Sequence, residues 1–260
     1  MSRVAVVTGA ARGIGAATVD ALVNAGYRVV AVDRCRDVTG VPYPMATQRD
    51  LDAVVARHGE AVLGLVGDVR SAADMRLAVE TATLHFGRLD AAVACAGVMA
   101  AGGPVWALED QAVDAVWSVN VLGVRRLLEA AAPTLIEGAR GRGRFVAVAS
   151  AGGAMGLRHL AAYVASKHAV VGLVRSAAID LAEHGVTVNA VSPGSTRTAM
   201  LEASARVYGL SDPADFAAHQ PVGRLLEPEE VAAAITWLCS EAAAAVTGAN
   251  LAVDGGMTIA

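Results

Sequence analysis

Short apolar runs alternate with long amphipathic stretches along the whole chain. Val4–Val7, Arg28–Val32, Val62–Val66, Ala91–Cys95, Arg144–Ala149, Thr187–Val191 and Leu251–Val253 read as strands. Most are continuous in polarity, as expected of strands covered on both faces. Between them, Gly13–Ala25, Thr47–His58, Ala72–Phe86, Asp110–Glu137, Ala161–His184 and Pro228–Cys239 carry helical periodicity. This repetition predicts an α/β fold: a seven-stranded parallel sheet with right-handed crossovers and helices on both faces.

Two segments break the rhythm. Residues 34–47 contain Val41-Pro42-Tyr43-Pro44, whose prolines block a helix start before about Ala46. Residues 194–228 form a long excursion with weak helical patches at Arg197–Tyr208 and Asp212–His219. Connections of that length often serve as lids or binding loops. No linker or internal repeat divides the chain, so residues 1–260 are expected to form one domain with a substrate-binding lid at 194–228.

Composition narrows the class. The chain has 260 residues, 55% hydrophobic and 18% charged, which excludes disorder and low complexity. A net charge of −4 gives no basic face for nucleic acid. The apolar run at the N-terminus is too short for a signal-peptide core. The uncharged stretch from Ala91 to Leu108 is interrupted by Gly97, Gly102, Gly103 and Pro104, so no membrane span is expected. Three dispersed cysteines make neither a disulfide framework nor a zinc cluster, the histidines show no metal spacing, and a cytoplasmic location is the simplest.

Chemistry enters at the first strand–helix junction. Thr8-Gly9-Ala10-Ala11-Arg12-Gly13-Ile14-Gly15 opens directly into a helix. Glycines let backbone approach a pyrophosphate, and free N–H groups at a helix start face the anion. No Lys-Ser/Thr pair follows Gly15, which disfavours a P-loop. Asp33 ends the second strand, where an acid can accept from ribose hydroxyls and repel a 2′-phosphate. That favours NAD over NADP; Arg12 and Arg34 pull the other way, and Asp33 could instead cap the following loop. Asp68-Val69, ending the third strand, could meet the adenine amino group, or Asp68 could cap the next helix.

Tyr163-Val164-Ala165-Ser166-Lys167 places a phenol and an ammonium one helical turn apart. Of the 21 basic residues 20 are arginine, and Lys167 is the only lysine in the chain. A neighbouring cation favours phenolate, bringing a phenol of pKa about 10 towards working range as an acid/base. Ser150, closing the strand Arg144–Ala149, faces the crevice where open parallel sheets bind ligands and could hold a substrate oxygen beside the phenol. Asn120 sits within Asp110–Glu137, where it could hold a water leading towards Lys167 or be a tolerated polar residue.

Thr8-Gly-x-x-x-Gly-x-Gly15, Asn120, Ser150, Tyr163-x-x-x-Lys167, Pro193-Gly194, Val246-Thr247-Gly248 and Val253-Asp254-Gly255-Gly256 together resemble the short-chain dehydrogenase/reductase family over essentially the whole chain. The resemblance implies a Rossmann-type three-layer αβα sandwich and NAD(P)-dependent oxidation or reduction of an alcohol/carbonyl pair. It implies that Tyr163 is the acid/base, that Lys167 binds the nicotinamide ribose, that Ser150 orients substrate and that Asn120 supports a proton-relay water. It also implies that Ala96-Gly97, Pro193, Gly194, Thr196 and Thr198 border the cofactor, and that the chain is a homotetramer. One departure is Ala94-Cys95-Ala96-Gly97, where the family usually has Asn-Asn-Ala-Gly. The bracing asparagine must be replaced, and Cys95 reads as buried packing.

A narrower resemblance concerns Gly40-Val41-Pro42-Tyr43-Pro44-Met45-Ala46-Thr47, Ser195-Thr196-Arg197-Thr198-Ala199-Met200-Leu201, Ala218-His219-Gln220 and Gly223-Arg224-Leu225-Leu226-Glu227-Pro228. These are similar to mycofactocin-coupled short-chain dehydrogenases, implying a non-exchangeable NAD recycled in place by mycofactocin. The loop could equally be an ordinary variable segment. The expected activity is hydride transfer between NAD and a small, largely apolar secondary alcohol or ketone. Two other readings stand beside it: an NADPH-dependent 3-oxoacyl thioester reductase, which Asp33 argues against, and a non-catalytic dinucleotide sensor, which has no need of the Ser/Tyr/Lys set.

Overall fold

The structure is a computed structural model that describes residues 2–100, 102–138 and 141–260. All seven expected strands form: β1 (Arg3–Thr8), β2 (Tyr27–Asp33), β3 (Val62–Val66), β4 (Ala91–Ala94), β5 (Arg144–Val148), β6 (Thr187–Pro193) and β7 (Asn250–Val253). They make one sheet in the order β3-β2-β1-β4-β5-β6-β7, and every pair is parallel. The order reverses between β1 and β4, so a crevice opens at their C-terminal ends, the place where open α/β sheets take ligands. The fold is therefore the Rossmann-like three-layer arrangement that the alternating pattern predicts.

The described residues form eight α-helices: α1 (Gly13–Asn24), α2 (Gln48–His58), α3 (Ala72–Phe86), α4 (Asp110–Trp117), α5 (Gly123–Gly138), α6 (Ala161–Ala182), α7 (Ala199–Tyr208) and α8 (Pro228–Leu238). On one face Val19 and Leu22 of α1, Leu51 of α2, and Ile235 and Leu238 of α8 pack on Val7, Val29 and Val93. On the other, Met75 and Val79 of α3, Leu127 and Leu135 of α5, and Val170 and Val174 of α6 pack on Val6, Val30 and Phe145. Each such side chain contributes about 1.5–3 kcal/mol when fully buried, so both faces of the sheet must be covered at once.

Local signals set the helix ends. Thr47 caps α2 through a reciprocal pair with Asp50, placing the start just beyond the Pro42/Pro44 block. Ser71 caps α3, so Asp68 is left free of that task. The expected helix over 110–137 forms, but its winding is not uniform. A π-helical turn at Ser118–Leu122 separates α4 from α5, and Asn120 lies at its centre. Such bulges insert one residue into the helical ladder and re-aim the side chains beside it. In the excursion after β6, the first patch is α7, whereas Pro213–His219 adopts the tighter 3-10 form. Among the described residues, no helix is long and apolar enough to cross a membrane.

Candidate active site

One cavity of about 1300 Å³ runs along the crevice from the end of β2 to the start of α6. Its floor is the loop between β1 and α1. Gly9 adopts φ +65, and a Cβ there would lie 2.7 Å from the Ala96 backbone; a Cβ on Gly15 would collide with the Gly9 carbonyl. Only glycine fits this close passage of three backbone segments. Unlike α2, α3 and α7, α1 begins with no side-chain cap and no acid in its first turn. Its first N–H groups are left for an anion, which fits a dinucleotide pyrophosphate.

At one end of the cavity, the Asp33 carboxylate accepts from the Ala11 N–H and the Cys35 N–H, both at 3.1 Å, so it braces the glycine loop and caps the turn after β2. Of the two sequence readings of Asp33, the loop cap has a structural counterpart. Asp68 is gripped by Arg70 through paired hydrogen bonds of 2.8–3.2 Å and meets Arg34 at 2.8 Å. Those hydrogen bonds and charges hold its carboxyl below the usual range, although burial works against them. Val69 lines the cavity beside it. Arg12 lines the cavity beside the glycine loop and donates to the Pro44 carbonyl at 2.8 Å.

At the other end stand Ser150, Tyr163 and Lys167. Tyr163 is 9% and Lys167 4% exposed, both on α6. The Lys167 ammonium donates to the Val148 carbonyl at 2.8 Å and lies 5.6 Å from the centroid of the Tyr163 ring. Ser150 accepts from the Gly152 N–H at 3.0 Å, which fixes its hydroxyl next to the phenol. The electrostatics differ from the sequence expectation. Burial pushes the Tyr163 phenol above its ordinary value, and the opposing pull comes from Ser150, not from the lysine. Burial also brings Lys167 down to about 8. The i, i+4 spacing places the two groups on one face, but desolvation dominates both titrations.

Asn120 is fully buried and its amide is spent on protein partners. It accepts from the Val98 N–H at 2.8 Å and donates to the Val98 carbonyl at 2.9 Å and to Ser166 at 3.0 Å. It clamps the segment after β4 to α6, so it is more than a merely tolerated polar residue. A Cβ on Gly97 would sit 3.5 Å from both Asn120 Oδ1 and Lys167 Nζ. Cys95 lies against Thr18 but is half-buried and lines the cavity, where the sequence reading has it buried; desolvation pushes its thiol up to about 12, which leaves it a poor nucleophile.

The remaining wall comes from residues 193–208. Thr196 donates to the Gly194 carbonyl at 3.1 Å; Thr198 donates to the Thr196 carbonyl at 3.2 Å and caps α7. Pro193, Gly194, Thr196 and Thr198 line the cavity together with Gly13 and Ile14. Sequence reasoning gave no role to two buried residues here. Gln220 donates to the Ser195 and Arg224 carbonyls at 3.3 and 2.6 Å and so holds this strip from behind. Tyr43 reaches from the 34–47 segment to the catalytic end, where its hydroxyl accepts from the Met99 N–H at 3.0 Å. An aromatic between two prolines in a loop was the only sequence signal for it.

A family model described as Enoyl-(Acyl carrier protein) reductase matches residues 9–258. The chain is 37% identical over 270 residues to an uncharacterised NAD-dependent oxidoreductase of Mycobacterium tuberculosis, covering 98% of this chain and 95% of that protein. Among solved structures it is similar to carveol dehydrogenase from Mycobacterium avium in complex with NAD, with TM-score 0.93 and 28% identity over 99% of this chain and 98% of that one. It is also similar to a 3-ketoacyl-(acyl-carrier-protein) reductase from Brucella melitensis complexed with NADH, with TM-score 0.86 and 31% identity over 98% of each chain.

Proposed function

Since this chain belongs to the short-chain dehydrogenase/reductase family of NAD(P)-dependent oxidoreductases, we propose that it transfers a hydride between NAD and a small, largely apolar secondary alcohol or ketone. The observation that carries this reading is the convergence of Ser150, Tyr163 and Lys167 on a cavity floored by an uncapped helix start and a glycine loop. Gly9, Gly13, Ile14 and Gly15 hold the pyrophosphate. Asp33 takes the adenosine ribose, and Asp68 and Val69 flank the adenine. Ala96, Gly97 and Lys167 meet the nicotinamide ribose, Pro193 and Gly194 border the nicotinamide end, and Thr196 and Thr198 lie near the carboxamide and the phosphates. When bound, the nicotinamide supplies the two-electron hydride acceptor or donor.

The chain's own part is proton chemistry and positioning. Tyr163 exchanges a proton with the substrate oxygen while the C–H bond at the adjacent carbon breaks or forms. Ser150 donates to the same oxygen and sets its distance from the phenol. Lys167 steadies the phenol and the ribose; Asn120 acts through Val98 and Ser166 to keep this corner rigid. Met99, Met155, Leu157, Met200 and Tyr208 give the substrate end an apolar lining, which suits an uncharged alicyclic or branched alcohol. Carveol, the substrate named for the Mycobacterium avium relative, is a cyclic secondary alcohol.

The preference for NAD rests on Asp33 and on the engagement of its two cationic neighbours, Arg34 with Asp68 and Arg12 with Pro44. The 34–47 segment supports a firmly held NAD recycled by mycofactocin. It runs along the cleft, meeting Arg12 above the glycine loop and Met99 at the catalytic end. A homotetramer is part of the same reading. The second reading, a 3-oxoacyl thioester reductase, draws on the similarity to the Brucella melitensis protein. Absorbance and mass spectra of the purified, dialysed protein test the first. Co-purifying NAD that survives dialysis supports it, whereas an empty site that exchanges added NAD freely removes the trapped-cofactor element. A clear NADPH preference with thioester turnover favours the second.

A further inference from the structure

We infer that Tyr43, carried by the 34–47 segment from the adenosine end of the cleft, is the rigid wall of the substrate pocket and sets which alcohols reach Tyr163. This rests on the dehydrogenase reading above and adds the residue that determines its selectivity.

Tyr43 is 7% exposed and packs in one apolar cluster with Met99, Leu160, Tyr163 and Ala203. Val41 and Met45 of the same segment, and Met200 and Tyr208 from the excursion after β6, close that cluster. Two separate insertions therefore meet around the reacting phenol. Tyr43, Met99, Leu160 and Tyr163 all line the cavity, so the Tyr43 ring is a boundary of the reaction space as well as part of a small core.

Its neighbours explain why Tyr43 sets the width. Methionines such as Met99, Met155 and Met200 are unbranched and yield to a ligand by rotamer change. A phenol ring has few rotamers, and this one is pinned at its far end by the Met99 N–H at 3.0 Å. The flexible walls adapt to a substrate; the pinned ring does not. The same bond gives a buried backbone donor its partner, so the ring cannot swing out without stranding the Met99 amide.

The test uses the full-length holoenzyme loaded with NAD and mixed with propan-2-ol, cyclohexanol or decahydro-2-naphthol, read by the near-ultraviolet absorbance of reduced nicotinamide. Tyr43→Ala should raise the rate ratio of the bicyclic alcohol to propan-2-ol by about tenfold or more, the scale on which a pocket responds to lost bulk. Tyr43→Phe, which keeps the ring's bulk and loses the pin, should shift the ratio in the same direction but by no more than about threefold. If Tyr43→Ala does not fold, Tyr43→Leu carries the same expectation with the core volume largely kept. An active wild type whose ratio is unmoved in the folded Ala or Leu variant overturns the inference while leaving the dehydrogenase reading intact. A ratio that shifts as far in Tyr43→Phe assigns selectivity to the hydroxyl and overturns the wall. A wild type that reduces its NAD with none of the three alcohols sinks the dehydrogenase reading, and this inference goes with it.

Discussion

The Lys167 ammonium lies over the face of the Tyr163 ring, 5.6 Å from its centroid, and gives its hydrogen bond to the Val148 carbonyl. The phenol is raised by burial and the ammonium is lowered to about 8 by the same cause. At neutral pH Tyr163 is therefore a proton donor, suited to ketone reduction, and alcohol oxidation needs alkali to draw its proton away. Oxidation measured in single turnover should rise with pH above neutrality, and reduction should fall. Because Lys167 loses its charge near 8, retention of NAD should weaken above that value, which equilibrium dialysis across the range would show. Lys167 also makes folding pH-dependent. Between about 8 and its ordinary 10.5 the unfolded chain binds the extra proton, so this residue's contribution to stability rises with pH through that window.

Tyr163→Phe removes the proposed acid/base and leaves the ring in place. Turnover should drop by about 10²–10⁴-fold, the usual worth of a positioned proton donor, with dinucleotide binding retained. Steady-state kinetics together with fluorescence titration of NADH separate the two effects. Substantial residual activity would leave the phenol without its role, and a non-catalytic dinucleotide sensor would return as a reading.

Asn120→Leu strands the Val98 N–H and carbonyl in a buried site, at about 1–3 kcal/mol for each group. Thermal unfolding should shift down by roughly 5–10 °C. A variant as stable as the wild type would show that the clamp between the β4 loop and α6 is dispensable.

The Ala11 and Cys35 amides bond to different oxygens of Asp33, so Asp33→Asn keeps an acceptor for one of them while removing the charge that repels a 2′-phosphate. The preference for NAD over NADP should fall by about tenfold, equivalent to about 1.4 kcal/mol. The ratio of kcat/KM for the two dinucleotides reads this directly, and an unchanged ratio would place nucleotide choice elsewhere.

Much of the architecture was written in local pattern. Every strand formed because continuous apolar runs bounded by turn residues can be satisfied only between two helical layers, and helix starts followed capping residues such as Thr47 and Ser71. The glycine loop and the Ser150, Tyr163, Lys167 set were legible because their spacing is itself the geometry. The π-helical turn at Ser118–Leu122 was not, since nothing local distinguishes Asn120 from a tolerated polar residue until Val98 and Ser166 arrive from distant segments. Tyr43 was missed for the same reason: a loop's destination is decided by its partners, here Met99 and Arg12. Spacing also misread the titration of the Tyr163/Lys167 pair, because it reports adjacency and says nothing about dielectric surroundings.

Residues 34–47 are tied at both ends, to β2 through Asp33 and to α2 through the Thr47–Asp50 pair. A hoop fastened at two points can bow outward but cannot swing aside like a door, so the widest gap it opens is set by its contour length. Redesign of this cleft for freely diffusing nucleotide would therefore start by shortening the hoop, since loosening its middle leaves both moorings in place.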